Sequence, residues 1–174
     1  MKDPDDIKAA IMRNEDKILT RPEIGQLTKT SKASIRSGVT CEIEDGPWRL
    51  SADMRKSLGG ENTGPDPGVL GRAAVSSCLA IGYAVWFARM EIPVNAIDVE
   101  VSADFDYGGV LGVSDVAASY SEFRYLVTID SPAENNEIMK VLDWADAHSP
   151  WLSNTKTAFD PQRSVRITTG GEGN

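Results

Sequence analysis

The uncharged run from Ala73 to Ala88, AAVSSCLAIGYAVWFA, constrains the fold more than any other feature of the chain. Asp66 and Pro67 precede it and supply a helix cap and a first-turn proline, so the pattern predicts one helix from Pro67 to about Met90. The run is too short to span a bilayer. Because the helix is apolar on nearly all sides, it needs cover on most of them, and a second subunit is a natural source.

Charge limits the partners that the protein can bind. The chain has 174 residues and a net charge of −8. An acidic surface disfavours nucleic-acid phosphates and anionic membranes, which both need clustered Lys and Arg. The opening residues, MKDPDDIKAA, lack the basic and apolar regions of a signal peptide, and there are only two cysteines. We expect a cytoplasmic protein with no nucleic-acid and no membrane partner.

The first part of the chain predicts a helix and then a hairpin. Asp3 caps the helix, which ends at Arg21-Pro22. Alternation from Ile35 to Glu44 predicts a half-buried strand after a polar connector, and Asp45-Gly46 is a hairpin turn signal. The alternation from Trp48 to Asp53 predicts the returning strand.

The part after the central helix predicts two strands, a helix and a last strand. Strict alternation runs from Ile97 to Tyr107 and a second apolar pattern from Phe123 to Ile129. Ser131-Pro132-Ala133-Glu134 is a capping box that predicts the start of a helix, and Ser149-Pro150 predicts its end. Val165 and Ile167 predict a last short strand. This order predicts an α+β domain over residues 31–169, with an N-terminal helical extension at 1–30 and a disordered tail at 170–174.

Cys78 is the first candidate for chemistry, since it lies deep inside the uncharged run. A free cysteine in such surroundings often only packs. A reactive thiol must ionise near neutral pH, which needs a nearby cation. Arg72 and Arg89 on the same helix are not three or four residues away, so Arg36 and Arg49 on the predicted hairpin are the remaining candidates.

Other polar residues do not point to a metal or nucleotide site. His148 is the only histidine, and without a cysteine cluster it cannot build a usual zinc site. The acids between Asp98 and Asp106 alternate with apolar residues, which favours a solvated sheet face. The glycines between positions 59 and 71 do not form a phosphate-binding loop. We expect no metal and no cofactor.

Several short motifs together resemble the OsmC/Ohr superfamily, the osmotically induced and organic-hydroperoxide-resistance proteins. They are Leu58-Gly59-Gly60, Asp66-Pro67, and Ser77-Cys78-Leu79-Ala80 in a helix of small residues. The resemblance covers about Ile35 to Ile167. It implies an OsmC-like fold, with a bent antiparallel sheet around a long central helix, and an intertwined homodimer with active sites at the subunit interface.

The resemblance also implies a reaction for Cys78. At this position the family has a peroxidatic cysteine, which attacks a hydroperoxide and becomes a sulfenic acid. A resolving cysteine then forms a disulfide, which an external dithiol reduces. A family arginine keeps the thiolate ionised. The central helix of the family starts with Asn-Pro, where this chain has Asp66-Pro67, and a glutamate directly after it positions that arginine. Arg36 is the best match for the arginine, with Arg49 as the alternative.

The chain departs from the family pattern at two positions. Gly68 stands where the hydroperoxide reductases have the glutamate, and Ser149 stands where the resolving cysteine belongs. A hydroxyl cannot form a disulfide. A sulfenic acid on Cys78 would therefore be reduced directly by a small thiol, or by Cys41 as a substitute resolving thiol.

Further residues are candidates for the substrate pocket. Trp86 or Phe87 would wall an apolar pocket near Cys78, or else belong to the core or the dimer interface. His148 and Ser149 would line the mouth of the pocket if the family geometry holds. Alternatively, His148 interacts with the last carbonyls of its helix.

Two functions from different classes remain open. The first is thiol-dependent reduction of organic hydroperoxides by a homodimer, with Cys78 and Arg36 as catalytic residues and an external thiol or dithiol as reductant. The second is a non-catalytic binding or structural dimer of the same fold, in which Cys78 only packs. The missing glutamate and the missing second thiol favour the second function.

Overall fold

Two long helices dominate the fold. The computed structural model describes residues 3–157 and 160–168. Helix α1 is Pro4–Thr20 and helix α2 is Pro67–Arg89, as the sequence predicts. The side chain of Asp3 caps α1 and that of Asp66 caps α2, and each helix has a proline in its first turn. These caps satisfy N–H groups that have no partner inside the helix.

Five strands form two separate antiparallel sheets in the described residues, where the sequence predicts one bent sheet. Strands β1 (Ser31–Ile35), β2 (Cys41–Asp45) and β3 (Trp48–Ala52) form the first sheet in that order. Strands β4 (Ala96–Asp104) and β5 (Glu122–Asp130) pair to form the second. The predicted α+β class is confirmed.

The predicted strand from Ile35 to Glu44 is wrong. The chain turns between β1 and β2, and Gly38 adopts a φ of +59° there, which favours glycine. Residues Ser31–Ile35, predicted to be part of a connector, form β1 instead. Arg36 consequently lies in the turn after β1 and not within a strand.

The shorter helices differ from the prediction at their ends. They are α3 (Tyr107–Val110), α4 (Asn135–Ala147) and α5 (Pro150–Lys156). Helix α4 begins later than predicted because the hydroxyl of Ser131 accepts from the N–H of Ala133 in a local turn. Helix α5 was not predicted, since Ser149-Pro150 both ends one helix and begins the next.

Two predicted strand segments are also corrected. Strand β4 ends at Asp104, and the carboxylate of Asp106 accepts from the N–H of Gly108 at the start of α3. Val165 and Ile167 form no strand and are 71% and 86% exposed, because no neighbouring strand pairs with them in the described chain. The predicted tail at 170–174 lies outside the described residues.

The core lies on one side of α2. Val75, Leu79, Tyr83 and Phe87 recur every four residues and are buried. They pack with residues of α4, α5 and the second sheet. No strand of the first sheet packs extensively on α2 within the described chain. Helix α1 also packs on α2, and the rest of the surface of α2 is left without cover by residues 3–157 and 160–168.

Candidate functional site

Cys78 lies beside the core-facing side of α2, and its side chain is half-buried. Gly71 and Ala74 before it and Gly82 after it lie at helical spacing on the same face. A Cβ atom added at Gly71 or Gly82 would meet no atom within 4 Å. We call this the Cys78 face of α2, and it is only partly covered by the described residues of the single chain.

The first sheet has one apolar side. Directly opposite residues of an antiparallel sheet share a side, and the register places Ile35, Cys41 and Ala52 together, and Ile43 with Leu50. We call this side the apolar sheet face; its apolar members are Ala33, Ile35, Cys41, Ile43, Trp48, Leu50 and Ala52, and the polar residues Ser31 and Asp45 lie at one end of it. Ile35, Trp48 and Leu50 are 55%, 70% and 54% exposed, so the face is largely uncovered in the single chain.

Arg36 and Cys78 are not brought together by the packing of one chain. Arg36 is exposed and follows β1 directly. Within residues 3–157 and 160–168 its side chain makes no ion pair and no hydrogen bond to Cys78. Arg49, the alternative, lies on the opposite, polar side of the sheet and pairs with Glu44 at 3.1 Å.

Cys41 begins β2 and is half-buried. Its Sγ lies 3.9 Å from the carbonyl oxygen of Glu42, and it belongs to the apolar sheet face. Both cysteines are free thiols. Cys41 therefore lies on the sheet whose turn carries Arg36.

Trp86 and His148, two of the predicted pocket residues, lie together. Their ring centroids are 5.3 Å apart, and Trp144 stacks on His148 at 4.8 Å. The Nδ1 atom of His148 is 2.7 Å from the carbonyl oxygen of Trp144, as expected for a histidine at a helix C-terminus. Arg89 lies over the Trp86 ring at 4.5 Å and pairs with Glu15 of α1.

Phe87 and Ser149, the other two pocket candidates, are buried. Phe87 has no exposed surface and belongs to the core. Ser149 is 7% exposed, and its hydroxyl accepts from the N–H of Leu152 at 3.3 Å. A serine is well suited to this place because its hydroxyl caps α5.

Gly68, at the position of the family glutamate, lies in the first turn of α2. A Cβ atom there would lie 3.1 Å from Oδ1 of Asp66 and 3.3 Å from Nη1 of Arg72. The glycine leaves the approach to the Arg72 guanidinium open. The sequence did not identify Arg72 as a functional residue. The residues that surround it in the fold come from loops distant in the chain, so no local pattern indicates its environment.

Asp53 organises the loop that leads into α2. It is 2% exposed, and its carboxylate accepts from the N–H groups of Met54, Glu61 and Thr63 and from the Thr63 hydroxyl, at 2.7 to 3.1 Å. The hydrogen bond from the Thr63 N–H is the largest influence on the pKa of Asp53. Burial alone would raise this pKa, but the hydrogen bonds from Thr63, Met54 and Glu61 outweigh it and lower the pKa to about 2. In the sequence Asp53 continues the polar side of a strand, so nothing local signals its burial.

The Leu58-Gly59-Gly60 motif fits this loop. Gly59 has a φ of +84°, and a Cβ atom at Gly60 would lie 1.9 Å from the carbonyl oxygen of Met54. The backbone approaches itself too closely there for any larger residue. The glycines therefore shape the entry to α2.

A family model described as OsmC-like protein matches residues 60–160, which include the whole of α2 with Cys78. The chain belongs to the OsmC-like family. This confirms the resemblance drawn from the short motifs. Helix α1 lies outside the matched segment of this OsmC-like protein.

Solved structures share the fold of this OsmC-like protein. An OsmC-like protein from Mycoplasma pneumoniae is 14% identical with a TM-score of 0.64, over 75% of this chain and 89% of that one. A Legionella pneumophila organic hydroperoxide resistance protein OsmC is 16% identical with a TM-score of 0.51, over 73% and 88%. An OsmC-like protein of unknown function from Vibrio cholerae is 11% identical with a TM-score of 0.57, over 76% and 96%. No curated protein matches the chain.

Helix α2 is long and predominantly apolar. By length and a mean hydropathy of 1.4 it passes as a membrane-spanning segment. One such helix is weak evidence for a membrane span, because the central helix of a water-soluble domain has the same length and composition.

Across the described ranges no group of three or more potential metal-ligating side chains is found.

Proposed function

We propose that this OsmC-like protein is a homodimer that reduces organic hydroperoxides with the thiol of Cys78. The observation that carries the proposal is a half-buried cysteine on a partly covered face of the central helix of an OsmC-like chain. The Legionella neighbour, whose name refers to organic hydroperoxide resistance, supports the same chemistry.

The dimer would unite two surfaces that one chain leaves uncovered. The apolar sheet face of one protomer would cover the Cys78 face of α2 in its partner. Trp48, Leu50 and Ile35 are already partly covered, so burying the rest of each side chain would contribute roughly half of the 1.5–3 kcal/mol that full burial is worth. Such a contact would also bring the turn that carries Arg36 to the helix that carries Cys78.

The proposed reaction has two stages. The Cys78 thiolate attacks one peroxide oxygen, the O–O bond breaks, and the alkoxide leaves and takes a proton to become an alcohol. Cys78 is then a sulfenic acid. A thiol condenses with it to form a mixed disulfide and water, and a second thiol restores Cys78 and leaves as a disulfide. Cys41 is the candidate for the first thiol within the protein.

Arg36 would act as the cation that keeps the thiolate ionised. Its guanidinium makes no ion pair among the described residues, so it is free to serve a partner's Cys78. The proposed setting is a reducing cytoplasm, which would supply the external thiol or dithiol.

Consumption of cumene hydroperoxide in the presence of dithiothreitol tests the proposal. We expect Cys78→Ser to abolish the activity and Arg36→Gln to lower kcat/KM by at least about tenfold, since the thiolate would lose the cation that stabilises it. Arg49→Gln, on the polar side of the same sheet, is the matched control and should change little. Equal activity in the wild type and Cys78→Ser would refute the proposal.

A non-catalytic dimer of the same fold is the second candidate function. It is favoured by Gly68 and Ser149, which remove the glutamate and the second thiol of the family pattern. Titration of Cys78 with a thiol reagent near neutral pH separates the two functions. Rapid reaction supports the enzyme, and an unreactive thiol in the intact dimer supports the binding module.

A further inference from the structure

A cavity of about 440 Å³ lies at the N-terminal end of α2. It is enclosed by the loop after β3, the first turns of α2, the end of β4, and α3 with the loop that follows it. Cys78 is not among its lining residues. The cavity therefore does not contain the proposed nucleophile, although Gly68, at the position of the family glutamate, belongs to its lining.

The walls of the cavity are mainly aromatic and aliphatic. The ring of Phe105 lies 5.3 Å from that of Tyr107 and 6.1 Å from that of Tyr120. Leu58 and Val110 add aliphatic surface. The three rings are 36–44% exposed, so apolar surface faces the cavity without cover from the described chain. Cavities of this size and lining bind small, largely apolar molecules.

One cation in the wall lacks a partner. Arg72 is half-buried, and across residues 3–157 and 160–168 its guanidinium neither donates a hydrogen bond nor forms an ion pair. Asp66 is the acid in the lining; its Oδ1 accepts from the N–H of Val69 at 2.9 Å, and among the described residues it forms no ion pair with Arg72. Arg55 adds a second cation at the rim, 5.4 Å from the centre of the Tyr107 ring.

Gly68 keeps this guanidinium accessible. A side chain at position 68 would begin 3.3 Å from Nη1 of Arg72. A glutamate there would be four residues before Arg72, the spacing at which a helical ion pair forms. Glycine leaves the charge available in a protein whose net charge is −8. An unpaired guanidinium in an apolar wall is complementary to a carboxylate, which it can bind through two parallel hydrogen bonds.

We propose that the cavity binds a small amphipathic carboxylate, with the carboxylate on Arg72 and the apolar body between the rings of Phe105, Tyr107 and Tyr120. Arg55 strengthens the attraction from the rim. This binding does not depend on peroxide chemistry, so it persists if Cys78 proves inert.

Calorimetric titration of the full-length protein at pH 7.5 tests the site with two matched probes. 4-Phenylbutyrate carries the charge, and 4-phenyl-1-butanol has the same body without it. We expect the acid to bind about tenfold more tightly than the alcohol, the worth of one charge-assisted contact. Arg72→Gln should bring the two affinities to the same value without weakening the alcohol. Arg13→Gln, an exposed change of equal charge on α1, should leave the preference intact.

Two further variants sharpen the test. Gly68→Glu should reduce the affinity for the acid about tenfold, because the new carboxylate competes for Arg72. Val110→Ala should weaken both probes equally, and Cys78→Ser should weaken neither. Three outcomes would each overturn the proposal. The first is equal affinity of the wild type for acid and alcohol, and the second is a preference for the acid that survives Arg72→Gln. The third is that neither probe binds because a second copy fills the cavity.

Discussion

The hydroxyl of Tyr83 donates to Oδ1 of Asp146 at 2.6 Å and thereby links α2 to α4. Tyr125 of β5 donates to Oδ2 of the same carboxylate at 2.7 Å. Burial is the main cause that raises the pKa of Tyr83, and the contact with Asp146 adds to it. The same two causes raise the pKa of Tyr125 to about 12. One carboxylate therefore joins three elements of the core that supports the Cys78 helix.

Removing the Tyr83 hydroxyl tests this link. Tyr83 is 1% exposed, so Tyr83→Phe should lower the free energy of unfolding by about 1.5–3 kcal/mol, the cost of losing a buried hydrogen bond to a charged group. Tyr125→Phe, at a residue that is 37% exposed, should cost less. Urea denaturation measures both values. Equal stability of Tyr83→Phe and the wild type would show that the link adds nothing.

The Asp53 carboxylate should make stability depend on pH in the acid range. Its pKa in the folded protein is about 2, below the ordinary value of 3.8, so the folded state favours the ionised form. The stabilisation is complete above about pH 4–5 and is lost as the pH falls toward 2. The urea midpoints of the wild type and Asp53→Asn should differ at pH 7 and converge toward pH 2. A difference that stays constant from pH 7 to pH 2 would contradict this role.

Gly60 should tolerate no side chain. A Cβ atom would lie 1.9 Å from the Met54 carbonyl oxygen, so the loop backbone must move. We expect Gly60→Ala to lower the free energy of unfolding by more than about 2 kcal/mol. Ser57→Ala, at an exposed position of the same loop, should stay within about 0.5 kcal/mol of the wild type. Thermal and urea denaturation measure the difference, and a neutral Gly60→Ala would be inconsistent with the tight loop.

The apolar sheet face should carry the dimer. Leu50→Glu places a charge among apolar side chains that the partner would cover, so it should weaken dimerisation by at least about tenfold. Ser51→Glu, one residue later and on the polar side of the same strand, is the matched control. Analytical ultracentrifugation over a dilution series gives both dissociation constants. Equal dimerisation of the two variants would exclude this face as the interface.

Much of the fold was predictable because its signals are local. Asp3 with Pro4 and Asp66 with Pro67 mark the starts of α1 and α2, since caps and first-turn prolines act within one turn of helix. Alternation marked β5, and Asp45-Gly46 marked the turn between β2 and β3. The strand at Val165 and Ile167 was wrongly predicted because alternation alone does not supply a neighbouring strand to pair with.

For the candidate site, the sequence by itself determined the family, the central helix and the placement of Cys78 on it. These follow from short-range patterns of residue type, capping and spacing. Only the tertiary structure decided that Asp53 is buried in a loop. It also decided that, among residues 3–157 and 160–168, the apolar sheet face is largely uncovered and Arg72 lines a cavity without an ion-pair partner. The physical reason is that exposure and pairing depend on segments distant in the chain, which local periodicity does not encode.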